Sequence, residues 1–309
     1  MDRLYQKIIN REKGILTYGI TPPRESYSLQ KLEEVTRITS ARLQTLDVDA
    51  VVLYDLQDES KRNPSERPFP FMPTMDPGVF AEKYLTIQNL PVIIYRCVGK
   101  YDKGMIETFM HPPTSDPRFT VFVGAQSSGE QNSGVRLSEA YQIAAVRSPN
   151  MLLGGVLIPE RHTSKNNEHE RIIFKMKSGC SYFISQAVYD TDSACRLLDD
   201  YAKICVTEGL DPVPVLFTLA PCGSEKTMQF MKWLGIYFPE SIERRLLESA
   251  DMLADSCDYL IKSFNCIRDC AKRLGLPVGC NVESVSIRRA EIEAAQHLAG
   301  VVRSIMKSS

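Results

Sequence analysis

The chain has 309 residues, 43% hydrophobic and 24% charged, with a formal net charge of -1. That balance fits a soluble globular protein with a sizeable core and gives no electrostatic footprint for nucleic acid. No apolar run approaches ~20 residues, which argues against a membrane span, and nine scattered cysteines suggest reduced thiols in a cytoplasm rather than a disulfide framework.

The opening MDRLYQKIINREKG mixes charges throughout and carries no apolar signal core. ILTYGIT (15–21) reads as a strand that stops at Thr21-Pro22-Pro23-Arg24, a rigid turn in which the prolines end strand pairing. Helical spacing follows over 28–46, then a strand over 49–55 and a long polar, proline-rich loop from Leu56 to Pro77. Within that loop ESKRNPSER (59–67) is a charge run that reads as a solvated segment. A helix (78–88), a strand (91–97), a short helix (105–110), a strand (119–125) and a helix (137–148) come next. A strand (151–158), a helix (167–179), a strand (181–190) and a helix (192–209) continue the alternation. The chain ends with a strand (213–221), two or three helices from Ser224 to Leu274, a strand (278–284) and a helix (289–307).

Strands separated by helices predict parallel pairing through right-handed crossovers. Several strands, DAVVLY and PVIIY among them, are apolar on both faces, as strands covered on both sides are. Eight such units predict an α/β fold, a closed (β/α)8 TIM barrel occupying residues 1–309 as a single domain. An open doubly wound sheet would carry a glycine-rich loop after its first strand, and GITPPRES has one glycine. A barrel places its site at the strand C-terminal ends. Here those ends are Thr21 and Arg24, Asp55 and Gln57, Arg96, Gln126, Glu160 and His162, Gln186 with Tyr189 and Asp190, Cys222, and Glu283 with Arg289. No metal is expected: the four histidines lack ligand spacing. Cys266 and Cys270 share a helix face, but buried small side chains adopt that spacing more often than ligands do.

Four stretches in order, YGITPPR, LIPERH (157–162), MKSGCSYFISQAVYD (176–190) and VPVLFTLAPCGSEKTMQFMKWLGIYFP (213–239), with SIRRAEI (286–292) at the end, resemble the methylenetetrahydrofolate reductase family. The resemblance implies a (β/α)8 barrel that binds a reduced folate in one-carbon metabolism. It implies folate contacts from Gln186, Arg289, Phe230, Glu160 and Tyr189. An amide such as Gln186 both donates to and accepts from a pterin edge, and an arginine fork such as Arg289 suits a carboxylate tail. Against the family pattern, Gly19 replaces the proton-donating glutamate, Ala125 a flavin and pterin aspartate, and Ile94 a histidine near the flavin. Glu168 and Arg171 match the flavin-holding acid and amide poorly, and Lys175 keeps one basic contact. These replacements put FAD in doubt and predict weakened or lost flavin-dependent reduction, because losing a general acid costs about 10²–10⁴ in rate. Two alternatives stand beside this reading: an active flavin-dependent reductase with Glu160 or Glu283 as substitute acid, and a barrel enzyme acting on another small molecule. The sequence leaves room for a protein partner or a homo-oligomer.

Overall fold

The computed structural model describes residues 3–58, 63, 65–87, 89–112, 117–124 and 134–308. Eight parallel strands close into a barrel in sequence order: β1 (Leu16–Ile20), β2 (Ala50–Leu53), β3 (Val92–Cys97), β4 (Arg118–Val123), β5 (Met151–Leu157), β6 (Cys180–Ala187), β7 (Val215–Leu219) and β8 (Val278–Glu283). β1 pairs with both β2 and β8, and the latter register sets Gly19 opposite Glu283.

The helices are α1 (Arg3–Ile9), α2 (Leu29–Gln44), α3 (Pro77–Lys83), α4 (Lys103–Met110), α5 (Leu137–Ala145), α6 (Pro159–Lys165), α7 (Glu168–Lys177), α8 (Thr191–Glu208), α9 (Glu225–Trp233), α10 (Glu240–Leu247), α11 (Met252–Leu274) and α12 (Arg289–Lys307). Their starts follow capping chemistry: Ser28, Asp76, Asp102, Asp190, Ser224 and Asp251 each accept a backbone N–H of the first turn. Gly209 and Gly275 end α8 and α11 with φ of 63° and 68°, a left-handed turn that glycine adopts without a Cβ penalty. Among the described residues no helix is long and apolar enough to cross a membrane.

Strand alternation sorts the core into two layers. Ala50 and Val52, Ile93 and Tyr95, Phe119 and Val121, and Tyr182 and Ile184 pack together inside the barrel. The other parity, Leu16, Tyr18, Val51, Leu53, Cys280 and Val282 for instance, packs against the helices. Two helices were not expected from the sequence. α1 sends Leu4 and Ile8 into the interior cluster and closes the N-terminal end of the barrel. α6 starts at Pro159 directly after β5, a position that proline favours.

The TPPR turn is tied to the long β2–α3 loop rather than being only a turn. Pro23 O accepts from Met75 N at 2.9 Å, Glu25 N donates to Pro73 O at 3.1 Å, and Arg24 bridges Thr74. The charge run is also not simply solvated. Trp233 Nε1 donates to Ser65 O at 2.9 Å, Asn63 Nδ2 donates to Trp233 O at 3.0 Å, and the Arg67 guanidinium lies 5.2 Å from the Phe230 ring centroid. Residues 59–62 and 64 of that run lie outside the described residues.

Candidate functional site

The C-terminal mouth of the barrel is organised around Asn281, fully buried on β8. Thr17 Oγ1 donates to Asn281 Oδ1 at 2.8 Å. Asn281 Nδ2 lies 2.9 Å from Tyr54 Oη, 3.2 Å from Thr218 Oγ1 and 3.4 Å from Glu283 Oε2. Tyr54 Oη donates to Glu283 Oε2 in a short hydrogen bond. Thr218 Oγ1 donates to Ser185 O at 2.6 Å and carries the network to β6, where Gln186 follows. Tyr54 and Glu283 are half-buried, so the network reaches solvent at the mouth. Its floor is aromatic: the Tyr54 and Tyr95 rings meet edge-on with centroids 4.9 Å apart.

The electrostatics follow from burial. Desolvation pushes the Glu283 carboxyl above its ordinary range, partly offset by the hydrogen bonds from Tyr54 and Asn281. Desolvation and the neighbouring Glu283 charge hold the Tyr54 phenol protonated, so it acts as a donor. Among the described residues, the hydrogen bonds given to Glu283 fall on Oε2. The mouth therefore offers a hydrogen-bond acceptor held by two donors beside an aromatic surface.

Gly19 explains why Tyr54 sits there. A Cβ at residue 19 would lie 2.7 Å from Tyr54 Oη and 2.8 Å from its Cε2. The space beside Gly19 is thus filled by Tyr54, and a carboxylate, Glu283, stands one strand away at Gly19's register partner. The sequence places Glu283 at the rim but does not reveal Tyr54 or Asn281 as its partners. The signal was parity: Ala50, Val52 and Tyr54 share the interior face.

The other expected residues divide. Gln186 is half-buried at the end of β6, and its Nε2 donates to Leu234 O at 3.0 Å, the C-terminal cap of α9. Phe230, on that helix, is 5.3 Å from Phe69 and 6.3 Å from Trp233 between ring centroids, so Gln186 and Phe230 share one wall. β6 ends at Ala187, and Tyr189 turns into the core, where its hydroxyl donates to Ala220 O at 2.8 Å and its ring packs 4.1 Å from that of Phe238. Arg289 is exposed at the start of α12 and pairs with Glu293 at 2.7 Å.

Glu160, in the first turn of α6, has both carboxylate oxygens buried and, among the described residues, without a hydrogen-bond partner from another residue. Desolvation, with Asp190 and Glu168 nearby, pushes it up to about 8. His162, buried on the same helix, lies 3.1 Å from Asp200 Oδ2 and borders a cleft of about 350 Å³ with Thr163, Asn166, Arg196 and Lys203. Asp55 and Arg96 instead belong to a structural ion network. Asp55 accepts from Cys97 N at 2.8 Å and Lys100 Nζ at 2.5 Å, and Arg96 pairs with Asp76 at 2.5 Å.

The residues that the resemblance assigns to the flavin do not fit it. Ile94 alternates with the interior residues Ile93 and Tyr95 and so faces the helix layer. The Lys175 amine is buried and donates to Val156 O, its pKa lowered by desolvation against the pull of Glu168. Glu168, fully buried, accepts from Ile158 N at 3.0 Å and pairs with Arg171 at 3.2 Å. These groups are committed to the barrel wall rather than to a phosphate or ribose. Ala125 and Gln126 lie outside the described residues.

No family model matches this chain, and no curated protein does. Among solved structures, the chain is similar to an uncharacterized protein from Clostridium thermocellum that binds two copies of 5-methyl-5,6,7,8-tetrahydrofolic acid. The two are 43% identical over 98% of this chain and 99% of that one, with a TM-score of 0.87. A 2,3-dimethylmalate lyase and an oxaloacetate acetylhydrolase are 10% identical at TM-scores of 0.42 and 0.47, too distant to bear on function. With identity of this degree along its whole length, the chain belongs to the family of the Clostridium thermocellum protein.

Proposed function

We propose that this chain binds a reduced folate of the 5-methyltetrahydrofolate class at the barrel mouth and serves one-carbon metabolism without classical flavin-dependent reduction. The observation that carries this reading is the full-length 43% identity to a protein that binds two copies of that molecule. The chemistry of the mouth supports it. The 2-amino and ring N–H groups of a pterin are donors, and Glu283 is an acceptor held in place by Tyr54 and Asn281. The aromatic wall of Phe69, Phe230 and Trp233 suits the flat aminobenzoate. On this reading the chain is a divergent relative of the methylenetetrahydrofolate reductase barrel that keeps the folate side and has lost the flavin side.

A second reading has one observation in its favour. Glu283 is the register partner of Gly19, so a carboxyl still stands beside the position that the reductases use. A reductase working through Glu283 would purify with flavin.

Calorimetric titration with 5-methyltetrahydrofolate tests the proposal. Binding of up to two equivalents is expected, and Glu283→Gln and Gln186→Ala should each weaken binding by about 1–3 kcal/mol, the cost of leaving buried ring groups unpaired. No measurable heat at millimolar ligand, or variants that bind like the native protein, would overturn it. Flavin absorbance in the purified protein would favour the second reading.

A further inference from the structure

The outer helical layer holds a cluster that the folate site does not use. Cys195 on α8 faces Cys266 and Cys270 on α11, and their three Sγ atoms all lie within 4.8 Å of one another. Cys266 and Cys270 are one turn apart, which puts both thiols on the face that meets α8. α8 and α11 are held together nearby by the Thr191 Oγ1 to Ser263 Oγ hydrogen bond at 2.8 Å. Cys195 and Cys270 border the apolar core, and Cys266 is exposed, so the cluster is walled on one side and open on the other. Among the described residues no other three His, Cys, Asp or Glu side chains bring their ligand atoms this close.

We propose that Cys195, Cys266 and Cys270 form a binding site for a thiophilic d10 cation, Zn²⁺ or its analogue Cd²⁺, with three thiolate ligands and a fourth position open to solvent. Soft thiolates select such ions over hard cations. A tetrahedral ion with Zn–S of about 2.3 Å sets its sulfurs about 3.8 Å apart, so rotamer adjustments of about an ångström complete the site. Each metal–sulfur bond forms as one thiol proton leaves to solvent. Three thiolates on a divalent ion carry one net negative charge. The Arg273 guanidinium, whose Nη2 lies 3.2 Å from Cys270 Sγ, is placed to offset that charge.

The test is a Cd²⁺ titration of the full reduced chain, followed by the thiolate-to-metal charge-transfer absorbance, with Zn²⁺ as competitor. One ion per chain is expected, with affinity rising with pH. Cys195→Ser and Cys270→Ser should each weaken binding by about tenfold or more. Cys257→Ser, on the same helix outside the cluster, should leave it unchanged. Where a variant fails to fold, the native protein still decides: bound metal should protect Cys195, Cys266 and Cys270 from alkylation, mapped by mass spectrometry. Absence of the band in the native protein, retention of full affinity in the Cys195 and Cys270 variants, or protection of other cysteines would overturn the proposal. Folate binding plays no part in the readout, so this inference stands or falls separately from the proposed function.

Discussion

The space beside Gly19 is filled by the Tyr54 ring, which barrel closure and strand parity set there together with Glu283. Gly19→Ala should therefore be costly despite its small size. The added Cβ meets the Tyr54 ring and displaces it from Glu283, with an expected loss of about 1–3 kcal/mol in denaturant unfolding, typical of overpacking. An unchanged midpoint would show that Tyr54 moves aside freely. Glu160 makes a separate prediction from pH. Its carboxyl is raised from an ordinary 4.5 to about 8, so the native state holds this proton more tightly than the unfolded chain does. Its contribution to stability is present below pH 4.5 and is lost as pH rises toward about 8. Glu160→Gln should match the native protein at about pH 4 and exceed it by up to about 5 kcal/mol near pH 8.5, measured by urea unfolding at both pH values. A constant difference across that range would mean that the carboxyl is not desolvated.

Among the elements, the long amphipathic helices were the most legible, because their apolar spacing and caps are local. α1 escaped notice because seven residues are too few to show a period, and its role is set by what it closes. The ion cluster at the barrel base shows that role. Asp49 is buried, accepts from Leu16 N at 2.9 Å, and pairs with Lys7 at 2.8 Å and Arg303 at 3.0 Å, joining α1, β1 and α12. Burial alone would raise its pKa. The Lys7 and Leu16 hydrogen bonds and the Arg303 charge outweigh burial and hold it below the usual carboxylate range. Asp49→Asn leaves two cations facing a neutral amide and should cost about 3–5 kcal/mol, as breaking a buried ion pair does. The native advantage is present above the ordinary carboxylate pKa of 3.8 and is lost as pH falls below it. Persistence of the full difference at about pH 2.5 would show that packing rather than charge is responsible. The β2–α3 loop was misjudged for a related reason. Its charges are local, but its partners Trp233 and Phe230 lie far along the chain.

For the whole molecule, eight alternating units made the barrel legible, since a closed parallel sheet buries both faces of every strand and writes that burial into its apolar runs. The position of the mouth follows from the fold. The allocation of side chains within it does not, because strand ends and register decide which of two neighbours faces the interior. Tyr189 and Ile94, both expected at the site, fall on the wrong side for that reason. The same geometry separates two ligands in solution. On the proposed reading the acceptor network at the mouth serves a pterin, whereas Lys175 and Glu168 are consumed by backbone groups of β5 and the residue after it. At a concentration one hundred times its dissociation constant, 5-methyltetrahydrofolate should stabilise the native chain by about 2.7 kcal/mol per site, read as a rise in Tm. FAD at the same concentration should leave Tm unmoved. A dissociation constant for FAD below roughly a micromolar, about -8 kcal/mol, would show that a flavin cradle survives in this barrel. Lys175 and Glu168 would then have to leave their backbone partners, and the loss of those hydrogen bonds would appear as faster amide exchange at Ile158 when FAD binds.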